Sequence, residues 1–241
     1  MSDLHFGARS GLDDPALEGA IRALIEQIEP ALVIVSGDLT HHGRRAEHEA
    51  AAGYLRGLGA PLLVVPGNHD IPTLPPARLV QPWREFLRQW ETTSPAHSSP
   101  GLEVVGLNSV NPLSYQGGRV GSSQLERAPA RLREAGPDAL RVAVVHHQLV
   151  GAPWRTYKAP LARRSSVLAR LASAGAELIV SGHVHQVAIC ERQEFEVVSD
   201  DARACVLAYR ASEEAIEVET RIWRSGAWAL TGTRSFPRGR A

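Results

Sequence analysis

"PLLVVPGNHD", residues 61–70, is an apolar, β-branched run that stops at a proline and a glycine and is followed at once by Asn68, His69 and Asp70. A short run of this kind reads as a buried strand feeding a loop. A glycine at the strand end lets the chain turn sharply where a side chain would obstruct whatever the polar residues hold. The same grammar recurs on both sides. "ALVIVSGDL" (31–39) ends in Gly37-Asp38, "LRVAVVHHQ" (140–148) in His146-His147, and "AELIVSGHVH" (176–185) in Gly182-His183-Val184-His185. The opening "MSDLHFG" adds Asp3 and His5, closed by Gly7.

Between these runs lie helical patterns. In "DDPALEGAIRALIEQIE" (13–29), Asp13 or Asp14 can cap, Pro15 suits the first turn, and Leu17, Ile21, Leu24, Ile25 and Ile28 recur at helical spacing. "RRAEHEAAAGYLRGLG" (44–59) is a second helix with Gly57 or Gly59 to end it, and further helices are expected over 124–135 and 167–174. Alternating strands and helices argue for an α/β core. Beyond His185 the texture changes to short alternating segments, 186–191, 194–199, 202–211, 215–224 and 227–232, which read as consecutive antiparallel strands with Ile216, Val218 and Ile222 facing inward.

Composition bounds the function. The chain has 241 residues, enough for one sizeable core, and is read as a single domain over 1–241. Residues 72–100, rich in Pro, Ser and Trp, form a lid or insertion, and 234–241 a loose basic tail. Lys+Arg and Asp+Glu balance at 26 each, so bulk charge advertises neither nucleic acid nor an acidic membrane. No apolar run approaches a transmembrane helix and no signal peptide is visible, so a cytoplasmic location is expected. Cys190 and Cys205 read as free, partly buried thiols in neighbouring strands.

Taken in order, Asp3-x-His5, Gly37-Asp38, Gly67-Asn68-His69-Asp70, His146 and Gly182-His183-x-His185 resemble the metallophosphoesterase superfamily, the calcineurin-like phosphoesterases. The resemblance spans roughly residues 2 to 187. It implies a four-layer α/β/β/α sandwich of two mixed sheets flanked by helices. It also implies two divalent metals: the first bound by Asp3, His5, Asp38 and His185, the second by Asn68, His146 and His183, with Asp38 shared. His69 would contact the phosphate and protonate or stabilise the leaving oxygen, and Asp70 would hydrogen-bond His69. A metal-bridging hydroxide would attack phosphorus in line. The physical need is general: hydrolysing a phosphate ester calls for neutralised charge and a nucleophile stronger than water, and two close divalent ions provide both.

Imidazole, carboxylate and amide ligands without thiolate suit Mn, Fe or Zn, with Mn or an Fe/Mn pair favoured. The segments "SDLHFG", "GDLT", "VPGNHD" and "SGHVHQ" look most like the bacterial class III cyclic-nucleotide phosphodiesterase branch, which implies a small cyclic or aryl phosphodiester as substrate. A phosphomonoesterase, a nuclease or a metal-free binding scaffold are the alternatives. Nucleic acid and membrane are not favoured as partners, and a homodimer is left open.

Several readings stay open at this level. His147 would replace His146 if its strand ran one residue further. His41 and His42 lie close enough to Asp38 to reach substrate or are loop residues, and His48 and His97 read as surface. Trp83 and Trp90 either pack the lid down or stack a base. Trp154, Arg155, Tyr157, Lys158, Arg163 and Arg164, within 152–164, grip substrate or are solvated. In the resembling family a strand precedes Asp-x-His, and here it is missing. A late start site or a shortened chain is expected; should the chain begin at Met1, Asp3 and His5 lack their anchor, the core has a gap and the first metal is weakly held.

Overall fold

The computed structural model describes residues 1–8, 15–150, 158–185, 187–191, 194–199 and 204–239, with the side chains of 187, 190, 191 and 194–199 left out. Helix α1 (Pro15–Ile28) begins at the proline anticipated for its first turn, while Asp13 and Asp14 lie outside the described residues. Then come β1 (Val33–Val35), α2 (Arg45–Arg56), β2 (Leu62–Val64), the short helices α3 (Ala77–Val80) and α4 (Arg84–Gln89), β3 (Ala96–Ser99) and β4 (Leu102–Leu107). Helix α5 (Ser122–Glu134), β5 (Leu140–Val145), α6 (Arg164–Ala172) and β6 (Leu178–Val180) complete the alternating part. Strands β7 (Val187–Glu191), β8 (Glu194–Ser199), β9 (Cys205–Ala211), β10 (Ala215–Arg224) and β11 (Ala227–Pro237) follow.

Strands β1 and β2 pair in parallel. The order β3-β4-β5-β6 has three parallel strands and an antiparallel edge, β3. β9, β10 and β11 form an antiparallel sheet with β10 at its centre, and β7 and β8 form a hairpin.

Three cores stack these elements into four layers. In the first, Leu17, Ile21 and Ile25 of α1 and Ala51 and Leu55 of α2 meet Val33, Val35 and Val64, with Trp223 and Trp228 at its margin. In the second, Leu63 and Val65 meet Val104, Val142, Val144, Ile216 and Val218. In the third, Val105, Leu107, Ala143 and Val145 meet Leu132 of α5 and Val167 and Leu171 of α6. Neighbouring residues such as Val104 and Val105, or Val144 and Val145, thus enter different cores, as the two-residue period of a strand requires. Helices cover the outside, and two layers of strands meet in the middle. This mixed α/β architecture of sheets flanked by helices is the one the resemblance implies. Ile216, Val218 and Ile222 are buried, as their alternation predicts.

Two expectations need correction. The tail is not loose from residue 234: β11 runs to Pro237, and Arg238 forms a salt bridge with Glu177 at 2.7 Å. The thiols are not in neighbouring strands, since β7 and β9 belong to different sheets; Cys205 is free, burial pushing its thiol up to about 11. In the segment 72–100, Trp90 packs inward, one of the two readings given for it. Phe86 of α4 is fully buried in the first core, and Trp90 packs near it under the Arg56 guanidinium. Strands β3 and β4 lie outside the elements the sequence pattern marks, although β4 is a buried interior strand. Among the described residues, no helix is long and apolar enough to cross a membrane.

Candidate metal centre

Parallel strands point their carboxyl ends the same way, and the residues beyond those ends converge there. Gly37-Asp38 follows β1, Gly67 to Asp70 follows β2, His146 follows β5, and His183 and His185 follow β6. The opening segment joins them. Residues 1–5 form no strand, yet they are not unanchored as expected. Asp3 N–H donates to Gly37 O (3.0 Å), His5 N–H to Asp38 O (3.0 Å), Phe6 N–H to Leu39 O (2.9 Å), and Met1 O accepts from Ser36 N–H (3.0 Å). This ladder fixes Asp3 and His5 beside Asp38, and Phe6 bridges Thr40.

The turns are tight enough to demand their glycines. Gly37 has φ +94°, and a Cβ there would lie 2.6 Å from His146 Nδ1; one on Gly67 would lie 2.2 Å from Asp38 Oδ1. The left-handed conformation extends to residues that pay for it. Eight non-glycine residues among those described have positive φ, and five are Asp3, His5, Asp38, His183 and His185. Each costs on the order of 1–2 kcal/mol for a residue with a Cβ. Strain concentrated on one cluster marks a site whose geometry is held by its surroundings.

Two groups of ligand atoms result, each within 4.8 Å of one another: Asp3, His5, Asp38 and His185, and Asp38, His146 and His183. Asp38 belongs to both. Its Oδ1 accepts from His69 N–H (2.9 Å), while Oδ2 lies 3.8 Å from His5 Nε2 and 3.4 Å from His146 Nε2. Asn68 Oδ1 lies 3.1 Å from His146 Nε2, which brings the amide into the second group. His146 Nδ1 donates to Ser36 O (2.8 Å), so that its Nε2 faces the group, the backing a ligating histidine uses. His146 joins this group and His147 does not: His147 Nδ1 pairs with Ser109 Oγ at 2.8 Å. The second group is wholly buried, whereas His185 is exposed and Asp3 partly so. The cluster therefore opens to solvent on the Asp3–His185 side.

A pair of cations fits the chemistry of these residues. Asp38 Oδ2 and both ring nitrogens of His183 are buried without a hydrogen-bond partner, which buried polar atoms rarely are. Burial pushes His5 down to about 4 and His183 down to about 3, so both are neutral imidazoles near pH 7, the form that ligates. Burial alone would raise the Asp38 carboxyl. The adjacent His146 outweighs it and holds Asp38 well below the usual carboxylate range. Asp3 is likewise held at about 2, its burial overcome by hydrogen bonding to His185 and by the charge of His146. Against its own burial, His146 is raised to about 9 by Asp38. The protein by itself thus keeps a proton where a cation would sit, and binding a metal would release it.

Around the clusters, the structure reassigns two residues. Asp70 does not hold His69. Its Oδ1 accepts from Thr40 N–H (2.9 Å) and Thr40 O–H (3.0 Å), and its Oδ2 from Gly67 N–H (2.8 Å), so it ties the Asp38 loop to the Asn68 loop. His69 Nδ1 instead donates to His41 O at 2.8 Å, leaving Nε2 toward the site. His48, read as a surface residue, is buried, with Nε2 3.1 Å from Asp70 O. His41 sits with its ring 5.7 Å from His69 in a stacked arrangement, and His5, His41 and His69 form a third group of ligand atoms. Tyr115, which the sequence reading did not single out, has its ring 6.3 Å from that of His69. Trp154, Arg155 and Tyr157 lie outside the described residues.

Comparison with known proteins identifies the family. Residues 1–187 match the family described as Calcineurin-like phosphoesterase, and the chain belongs to that family. It is 28% identical over 152 residues to a probable cyclic nucleotide phosphodiesterase of Synechococcus sp., covering 61% of this chain and 56% of that protein. A second probable cyclic nucleotide phosphodiesterase, from Rhodopseudomonas palustris, is 41% identical over 76 residues, covering 29% and 28%. The matched regions thus span about half or less of these curated relatives. Among solved structures, a purple acid phosphatase from yellow lupin (Lupinus luteus) superposes with a TM-score of 0.71 at 11% identity, over 98% of this chain and 52% of that one, which is a likeness of fold.

Proposed function

We propose that this calcineurin-like phosphoesterase hydrolyses small phosphodiesters, cyclic nucleotides or aryl diesters, with two divalent ions. The observation that carries the reading is Asp38, a buried ionised carboxylate common to two ligand groups. Asp3, His5, Asp38 and His185 would hold one ion, and Asp38, Asn68, His146 and His183 the other. Bound, such a pair supplies Lewis acidity toward phosphoryl oxygens and a nucleophile drawn from water. Mn or an Fe/Mn pair suits the donor set best. The substrate we favour is a small molecule of the cytoplasm.

The chain's own part in the reaction falls to its buried loops. Asp70 and Thr40 keep the Asp38 and Asn68 turns in register. His69 is fixed at two points, its N–H on Asp38 and its Nδ1 on the His41 carbonyl, so Nε2 is the nitrogen left for substrate. From there, an imidazolium would donate a proton to the departing oxygen. The first group is open to solvent at His185, the side from which an ester would approach.

A substrate panel tests the reading. With Mn added, the chain should hydrolyse a bis-aryl phosphate and cyclic AMP faster than aryl monoesters or oligonucleotides. A chelator should stop the reaction and restored Mn should revive it. Turnover confined to monoesters or oligonucleotides would move the chain to another branch of the family, and turnover insensitive to chelator would contradict the metal reading.

A further inference from the structure

Tyr115 is half-exposed (49%) although its ring stands against His69, with ring centroids 6.3 Å apart and planes at 71°. Its loop is tightly made. Asn111 Oδ1 accepts from Leu113 N–H (3.1 Å), Asn111 O from Ser114 N–H (3.0 Å), and Ser114 Oγ from Gly117 N–H (2.9 Å). One ring face is covered by the Arg78 guanidinium, 5.3 Å from the ring centroid. Arg78 belongs to α3 and is itself buried, 6% exposed. Its Nε donates to Pro112 O (2.9 Å), Nη1 to Pro72 O (3.1 Å) and Nη2 to Ser114 O (3.0 Å). A guanidinium taken out of water and satisfied by three backbone carbonyls is costly to bury. Here it joins the lid segment to the Tyr115 loop and holds one aromatic ring in place.

We infer that Tyr115 determines specificity: its ring stacks the aromatic part of the ester, a nucleobase or an aryl group, while Arg78 positions the ring. The inference rests on the phosphodiester reading above. An ester whose phosphorus lies within reach of His69 can carry its organic group past that imidazole toward solvent, where Tyr115 offers a half-exposed ring, whereas the His41 ring stacks on His69 itself. Of the two tryptophans first considered for stacking, Trp90 is placed otherwise, packing on the first core and under Arg56. The phenol hydroxyl is not needed for this role; the ring is.

Two phosphate monoesters separate the contributions when titrated calorimetrically into the Mn-loaded protein. Adenosine 5′-monophosphate and methyl phosphate share the phosphate, and only the first has a ring system. Tyr115→Ala should weaken adenosine 5′-monophosphate by roughly tenfold to a hundredfold, the size of one lost base–aromatic stack, and leave methyl phosphate unchanged. Tyr115→Phe should bind both like the parent, and Arg78→Ala should reproduce the selective loss. Equal weakening of both probes by Tyr115→Ala, or no weakening of adenosine 5′-monophosphate, would overturn the assignment while leaving the phosphodiester reading in place. A parent protein that binds the two probes equally would overturn the assignment as well, since no ring contact then adds to the phosphate; the phosphodiester reading itself stands or falls on the diester panel above.

Discussion

Replacing Asp38 by asparagine should release both metal ions together and abolish hydrolysis. The side chain is fully buried, and its Oδ2 has no hydrogen-bond partner while lying between His5 and His146. Asparagine keeps the shape and can still accept from His69 N–H through Oδ1, so the loop should hold its form. What is lost is the only negative charge common to both ligand groups. Mutations of groups that merely support a ligand cost roughly 10- to 100-fold in metal affinity, so a ligand shared by two ions should exceed that for each. Metal analysis after gel filtration, alongside circular dichroism to verify folding, gives the result. Full occupancy in Asp38→Asn would show that the two groups do not depend on a common carboxylate.

His69→Ala should do the opposite: turnover falls by roughly 10²- to 10⁴-fold, the span of a positioned general acid, while metal content stays near that of the parent. His69 contributes to neither of the two groups built on Asp38, and its Nδ1 is already engaged by the His41 carbonyl. It does fall within a third group with His5 and His41. Loss of metal in His69→Ala would therefore identify it as a ligand and contradict its assignment to the leaving group. A substrate with a better leaving aryl group should be less affected by the substitution, because it asks less of the acid.

Much of this architecture was written locally. The runs 31–39, 61–70, 140–148 and 176–185 are each a buried strand followed by residues too polar for a core, and strand ends in a parallel sheet are forced to one edge. The grouping of Asp38, Asn68, His146, His183 and His185 came from the family resemblance, and the shared edge is the physical reason such a grouping can form. The antiparallel strands from β9 to β11 were legible locally, through the alternation of Ile216, Val218 and Ile222. What was not legible depends on contacts between distant segments. Strand β4 is followed by Asn108-Ser109, without the histidine or aspartate ending that flags the others. Asp70 adjoins His69 in sequence, and its pairing instead with Thr40, 30 residues away, is made by how two loops meet. His48 looks like an exposed helix residue until α2 is packed, when it turns toward the Asp70 carbonyl. The Arg78–Tyr115 contact crosses 37 residues and has no periodic signature.

The strained backbone points the same way as the ligand groups. Five left-handed residues with side chains are a cost that hydrophobic packing does not need, and all five carry candidate ligand atoms. The ladder from Met1 O to Phe6 N–H is what keeps Asp3 and His5 in that conformation.

The most direct test is the metal content of the parent chain, purified, equilibrated with excess Mn and freed of loosely held ions before elemental analysis. Two ions for each chain is the result predicted by two ligand groups joined at one aspartate. A chain that retains no ion, or saturates at one, would contradict a paired centre.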